Sequence, residues 1–131
     1  MQEATQTVVL SGIGGYGKCY LDLLHAPPVA GRARLVGAID PFAERAPDYP
    51  ALAAAGMPVW PDLDAFLASG LRPDLLILAS PIQFHGEQSC AALQAGLDVL
   101  CEKPAAACRA EAERMIAARR AAGRLLAIGY Q

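Results

Sequence analysis

Short apolar runs recur along this chain, separated by longer segments of helical composition, and this alternation is what most limits the folds open to it. The runs are Thr7 to Ser11, Ala33 to Ile39, Pro58-Val59-Trp60, Leu75 to Ala79, Asp98 to Cys101 and Arg124 to Ile128. They are continuous rather than alternating in polarity, as expected of strands covered on both faces. Helical composition falls near Gly15 to His25, Asp62 to Ala68, Ile82 to Ala95 and Ala105 to Ala122, while Pro47 and Pro50 argue for a short or broken helix between Phe42 and Gly56. Strands that alternate with helices make βαβ units and a parallel sheet. The expected fold class is therefore α/β, a doubly wound, mostly parallel six-stranded sheet.

Local signals agree with that order. Ala55-Gly56, Ala95-Gly96 and Ala122-Gly123 stand where helices should stop, each offering a glycine for a left-handed cap. Pro61, Asp62 and Asp64 suit a helix start. With 131 residues the chain has the size of one domain and can bury a core without staples. Its longest uninterrupted apolar run, Leu75 to Ala79, is far short of the ~20 residues that span a bilayer. Met1-Gln2-Glu3-Ala4-Thr5-Gln6 carries an acid where a secretory leader carries basic residues, so the expected location is cytoplasmic.

Four cysteines (Cys19, Cys90, Cys101, Cys108) form no C-x-x-C pair, and two histidines (His25, His85) add too few ligands for a zinc cluster. Free thiols and no metal are expected. A net charge of −2 gives no footprint for nucleic acid. The arginines at 109, 114, 119, 120 and 124 sit among glutamates and read as a solvated helix face.

The first apolar run leads into Gly12-Ile13-Gly14-Gly15-Tyr16-Gly17, a G-x-G-x-x-G at positions 12, 14 and 17. The first glycine permits a tight turn, the second lets backbone approach a pyrophosphate, and the third lets the next helix pack closely on the sheet. The N–H groups of that helix start would face the anion. Three glycines can also be a plain flexible turn, and Asp40, 23 residues after Gly17, can be an ordinary turn aspartate before Pro41. Together they favour a dinucleotide, since an acid closing the second strand accepts hydrogen bonds from the adenosine ribose.

Ligands of open parallel sheets lie beyond the carboxyl ends of the strands. Those ends carry the glycine loop, Asp40, Ser80-Pro81-Ile82-Gln83-Phe84-His85, Glu102-Lys103-Pro104 and Gly129-Tyr130-Gln131. All the unusual chemistry thus falls on one edge. Two other readings use the same features: a stand-alone NAD(H)-binding sensor or regulatory module, and a methyltransferase-like fold that binds S-adenosylmethionine. The G-x-x-G spacing into a helix and Lys103 speak against the second.

The combination of "GIGGYG", an acidic end to the second strand, "PDLLILASPIQFHGEQSCAALQAGLDVLCEKP" and a closing "AIGYQ" resembles the Gfo/Idh/MocA oxidoreductases over essentially the whole chain. The resemblance implies a Rossmann domain for NAD, with NADP possible. Gly12, Ile13, Gly14, Tyr16 and Gly17 would line the pyrophosphate loop, and Asp40 would hold the adenosine ribose. Ser80, Pro81, Gln83 and His85 would border the nicotinamide half. Lys103 would touch the nicotinamide ribose and the reacting hydroxyl or carbonyl, with His85 as a second catalytic candidate, Glu102 steadying the site and the Lys103-Pro104 bond cis. Asp40 would repel a 2′-phosphate, whereas Arg45 lies near enough in sequence to meet one.

Members of that family pair this domain with a larger C-terminal domain that holds much of the substrate site. The resemblance therefore implies the cofactor-binding half of an enzyme acting on a sugar, polyol or related hydroxy or carbonyl compound, inactive by itself. Oligomers would form through the domain this chain lacks.

Overall fold

The computed structural model describes residues 4–27 and 29–130. Met1-Gln2-Glu3, part of the stretch read above for a leader, and Gln131, the last residue of the closing motif, lie outside the described residues. Six strands alternate with helices: β1 (Gln6–Ser11), β2 (Ala33–Ile39), β3 (Val59–Trp60), β4 (Leu75–Leu78), β5 (Asp98–Cys101) and β6 (Leu126–Ile128). The α-helices are α1 (Gly17–His25), α2 (Tyr49–Ala54), α3 (Leu63–Ala68), α4 (His85–Gln94) and α5 (Arg109–Ala122). The strands form one parallel sheet in the order β3-β2-β1-β4-β5-β6. This is the doubly wound α/β sheet, and its direction of winding reverses between β1 and β4, the place where such sheets bind ligands.

Continuous apolar strands are explained by two cores. On one face Val9, Leu76, Leu78, Val99 and Cys101 pack with Phe66, Leu93 and Met115 from α3, α4 and α5. On the other, Val8, Leu10, Ala38 and Ile77 pack against Ile13 and against Leu21 and Leu24 of α1. Successive side chains of a strand point to opposite faces, so β1 to β5 each feed both cores, while β6 gives Leu126 and Ile128 to the first and leaves Ala127 exposed. At roughly 25 cal/mol per Å² of apolar surface removed from water, this double burial is the main source of stability.

Local chemistry sets the element ends. Asp62 caps α3 by accepting the Ala65 N–H at 2.8 Å. Gly56, Gly96 and Gly123 have φ of +69°, +86° and +63°, the left-handed stops expected after α2, α4 and α5. Along α5 Glu111, Met115 and Ala118 are buried on one stripe while the arginines face outward, Arg109 pairing with Glu113 at 2.7 Å. The segment between Phe42 and Gly56 is the broken helix its prolines require, a 3₁₀ turn at Ala43–Arg45 followed by α2.

Four elements start two or more residues later than the sequence pattern suggests, each for a local reason. Gly15 has φ +53°, which no right-handed helix accommodates, so α1 starts at Gly17. Ile82–Phe84 form a 3₁₀ turn before α4. Cys108 is extended, with φ −151° and ψ 166°, so α5 begins at Arg109 rather than Ala105. Arg124 and Leu125 are held at the start of β5, where Arg124 Nε meets Asp98 Oδ1 at 2.9 Å and the Leu125 N–H donates to the same oxygen at 2.8 Å.

Candidate cofactor and active site

The loop after β1 is shaped by backbone contacts that only glycine allows. Gly12 has φ +84°, and a Cβ placed there would lie 2.6 Å from the carbonyl oxygen of Ala79 at the end of β4. Its N–H donates to Ile39 O at 2.8 Å, tying the loop to the end of β2 as well. A Cβ on Gly17 would come 1.7 Å from Gly12 O, so the first turn of α1 rests directly on the loop. Gly14 differs: a Cβ there meets nothing within 4 Å. The amides of Gly14, Gly15 and Tyr16 are taken by no other described residue. Open space, unspent N–H donors and the positive end of α1 fit a pyrophosphate.

Asp40 joins this loop. Its Oδ2 accepts the Ile13 N–H at 3.0 Å and its Oδ1 the Phe42 N–H at 2.8 Å, which fixes a half-buried carboxylate beside the glycines with lone pairs to spare for ribose hydroxyls. The Ile13 side chain is buried in the core, so only its backbone belongs to the loop. Lys18, next after the glycines, is held by Asp22 at 3.2 Å and Asp48 at 3.4 Å. The hydrogen bond to Asp22, foremost, raises its pKa. Arg45 lies over the Phe42 ring, 4.8 Å from its centroid.

The ends of β4 and β5 enclose a second space. A cavity of about 180 Å³ is lined by Tyr16, Ser80, His85, Glu102 and Lys103, with Ala79 and Ile82 completing it. The structure thus brings together residues from three loops that the sequence pattern placed on one edge. Pro81 and Gln83 are exposed and lie outside this lining. A larger cavity of about 630 Å³ lies by Ala33 and Arg34 at the start of β2, at the opposite end of the strands from these loops.

Around the smaller cavity the polar groups are fixed. Glu102 is buried, and its carboxylate accepts the Tyr20 hydroxyl and, at 3.0 Å, the Lys103 N–H. Burial, and then that bond to Glu102, raises the Tyr20 hydroxyl above its ordinary pKa. Gly129 makes room for the carboxylate, since a Cβ there would lie 2.7 Å from Glu102 Oε1. Lys103 is exposed at the cavity mouth, and the Lys103-Pro104 bond is cis. Ser80 Oγ donates to Gln88 Oε1 at 2.5 Å. His85 is 2% exposed, with Nδ1 2.8 Å from Pro104 O and Nε2 2.7 Å from Ser80 O. Burial pushes the neighbouring Cys101 thiol up to about 11.

Tyr20 and Gln88 were not singled out by sequence spacing. Tyr20 has one faint signal, its position four residues after Tyr16, the residue that leads into α1, and nothing in the sequence pairs it with a residue 82 positions on. No group of three or more metal-ligating side chains occurs among the described residues, and none of their helices is long and apolar enough to cross a membrane.

A parallel doubly wound sheet with a glycine loop, a carboxylate after β2 and a lysine after β5, all on one edge, defines a nicotinamide-dinucleotide-binding domain. Residues 6–130 match the sequence profile of an oxidoreductase family described as having an NAD-binding Rossmann fold. The chain belongs to that family, the Gfo/Idh/MocA oxidoreductases, whose cofactor is NAD.

Among its relatives, inositol 2-dehydrogenase of Leifsonia xyli subsp. xyli is 38% identical over 107 residues, 80% of this chain and 30% of that protein. D-glucoside 3-dehydrogenase of Escherichia coli (strain K12) is 39% identical over 72 residues, 55% of this chain and 20% of that protein. The WlbA dehydrogenase from Bordetella pertussis, solved in complex with NADH and UDP-GlcNAcA, superposes with a TM-score of 0.84 at 31% identity, over 95% of this chain and 37% of that one. The chain therefore spans only a fifth to somewhat over a third of these proteins' lengths.

Proposed function

We propose that this domain holds NAD(H) across the carboxyl edge of its sheet and supplies the cofactor half of a dehydrogenase for a sugar, polyol or related hydroxy compound. The observation that carries the reading is the meeting, at the β1–β4 switch point, of an open glycine loop and a cavity walled by Glu102 and Lys103. In this reading the amides of Gly14, Gly15 and Tyr16 bind the pyrophosphate and Asp40 the adenosine ribose. Ser80 and Lys103 border the nicotinamide half. Dehydrogenases and a sugar-nucleotide complex among the relatives support the substrate class.

The nicotinamide ring supplies the hydride acceptor and donor. Lys103 sits at the cavity mouth, where its ammonium can donate to a carbonyl oxygen or, as the amine, accept a hydroxyl proton. Glu102 carries no substrate role here: with both oxygens engaged it fixes the backbone from which Lys103 projects. His85, whose ring nitrogens both face backbone carbonyls, holds loops in place rather than exchanging protons with substrate. Substrate positioning is worth ~7–11 kcal/mol of a barrier. The regions of the relatives beyond this chain's match would provide it, and the domain by itself would turn over no substrate.

Calorimetric titration of the purified chain with NADH and NADPH tests the reading. NADH should bind more tightly, and Asp40→Ser should erase most of that preference by removing the charge that repels a 2′-phosphate. Binding of neither nucleotide, or an unchanged preference in the variant, would overturn it.

A further inference from the structure

Ser80 lines the smaller cavity and is tied twice to α4. Its backbone oxygen lies 2.7 Å from Nε2 of His85, and its hydroxyl donates to Oε1 of Gln88 at 2.5 Å. His85 and Gln88 stand three residues apart, so both ties come from one side of the helix. A serine hydroxyl has one proton and two lone pairs. With the proton spent on Gln88, Ser80 Oγ keeps only lone pairs, and no donor among the described residues takes them. Most of the other polar groups that the segments after β4 and β5 bring to this cavity are already engaged. His85 faces the carbonyls of Ser80 and Pro104, and the Glu102 carboxylate accepts the Tyr20 hydroxyl and the Lys103 N–H. Lys103 is exposed at the mouth, and its ammonium is bonded to none of the described residues. These two segments thus give the cavity one uncommitted acceptor, Ser80 Oγ, and one uncommitted cationic donor.

A hydroxyl group suits both at once, since its oxygen accepts from an ammonium while its proton goes to an acceptor. We propose that Gln88 is a positioning residue which, by taking the Ser80 proton, makes Ser80 Oγ an acceptor for a hydroxyl of the nicotinamide ribose held between Ser80 and Lys103. The hydrogen bonds then run in one direction, from Lys103 through the ligand hydroxyl and Ser80 to Gln88. Without Gln88 the serine proton is free to turn into the cavity and oppose the proton of the ligand. Gln88 itself is half-buried on α4 and does not line the cavity, so it acts through Ser80. The inference rests on the cofactor placement proposed above and adds to it the direction of the bonds.

The test is calorimetric titration of the purified chain with NADH and with analogues lacking the 2′- or the 3′-hydroxyl of the nicotinamide ribose. The parent should bind one of the analogues roughly tenfold more weakly than NADH, through the loss of a hydrogen bond at each end. Gln88→Leu should cut that ratio to roughly threefold or less, whereas Gln88→Glu, which keeps an acceptor for the Ser80 proton, should restore it. Adding Gln88→Leu to Ser80→Ala should leave the ratio where Ser80→Ala alone puts it. A Gln88 that only supported the fold would change the affinity for NADH and its analogues alike and leave the ratio unmoved. NADH binding with no preference over either analogue, or a ratio that survives Gln88→Leu, would overturn the proposal and leave the cofactor placement standing. A parent chain that binds no NADH would overturn both.

Discussion

Gly14 and Gly17 stand three residues apart in one loop, and the structure assigns them opposite fates on substitution. At Gly14 the backbone φ is not positive and an added Cβ touches nothing within 4 Å. Alanine there should leave the fold intact and gain up to ~0.4–1 kcal/mol from a less flexible unfolded chain. In the cofactor placement proposed above, however, the same methyl group would compete with the pyrophosphate for the open space at Gly14. Losing one close amide–phosphate approach should weaken NADH by about tenfold or more, the equivalent of ~1.4 kcal/mol. At Gly17 a Cβ would stand 1.7 Å from Gly12 O, a backbone atom that cannot swing aside. Relieving that overlap requires α1 to lift off the sheet, at a cost of about 1–3 kcal/mol or more. Urea unfolding gives the stability change and calorimetry the NADH affinity. If Gly14→Ala binds NADH as the parent does, the second glycine is not where the cofactor approaches. If it unfolds as readily as Gly17→Ala, the steric reasoning is wrong.

Two further predictions concern the buried groups behind Lys103. The Cys101 thiol, raised by burial from 9.0 to about 11, binds its proton more tightly folded than unfolded, so it stabilises the fold below pH 9 and that contribution is lost as pH rises toward 11. The loss should reach at most about 2–3 kcal/mol, and Cys101→Ala should flatten this part of a stability–pH curve; an unchanged slope in the variant would refute the assignment. Tyr20→Phe removes one of the donors to the buried Glu102 carboxylate and should cost about 1–3 kcal/mol in urea unfolding. A Glu102→Gln background should shrink that cost, and equal effects in both backgrounds would show that the pair is not coupled.

The features legible in the sequence were those written in nearest neighbours. The β2 and β5 boundaries coincide with the runs at Ala33 to Ile39 and Asp98 to Cys101, because strands covered on both faces are nearly continuous in apolar residues, with Arg34 near the start of β2 and Asp98 opening β5 as their charged positions. Gly12, Asp40 and Lys103 could be placed on one edge because a parallel sheet puts every strand end on the same side. What escaped was set by contacts distant in sequence. The four alanine- or cysteine-containing positions before α5 look helical by composition, yet Ala107 gives its N–H to the Glu111 carboxylate at 2.7 Å and Cys108 turns extended. Tyr20 and Glu102 meet across 82 residues, which no local pattern reports. His85 was marked by its position near the nicotinamide side, but its two carbonyl partners, one supplied by Pro104, emerge only from the geometry.

The strand order has a consequence for how the chain is made. β1 is central, and its two neighbours arrive at very different times: β2 within about 27 residues, but β4 only when Leu75 can reach Val8, 67 residues later. At ~5–20 residues per second the ribosome would take roughly 3–13 s to supply that partner. Throughout that interval Val8, Val9 and Leu10 have at least one unpaired edge, a shape that invites pairing with other chains. The same central position that lets β1 deliver its glycine loop to the middle of the site thus makes it the segment of the nascent chain most exposed to wrong partners.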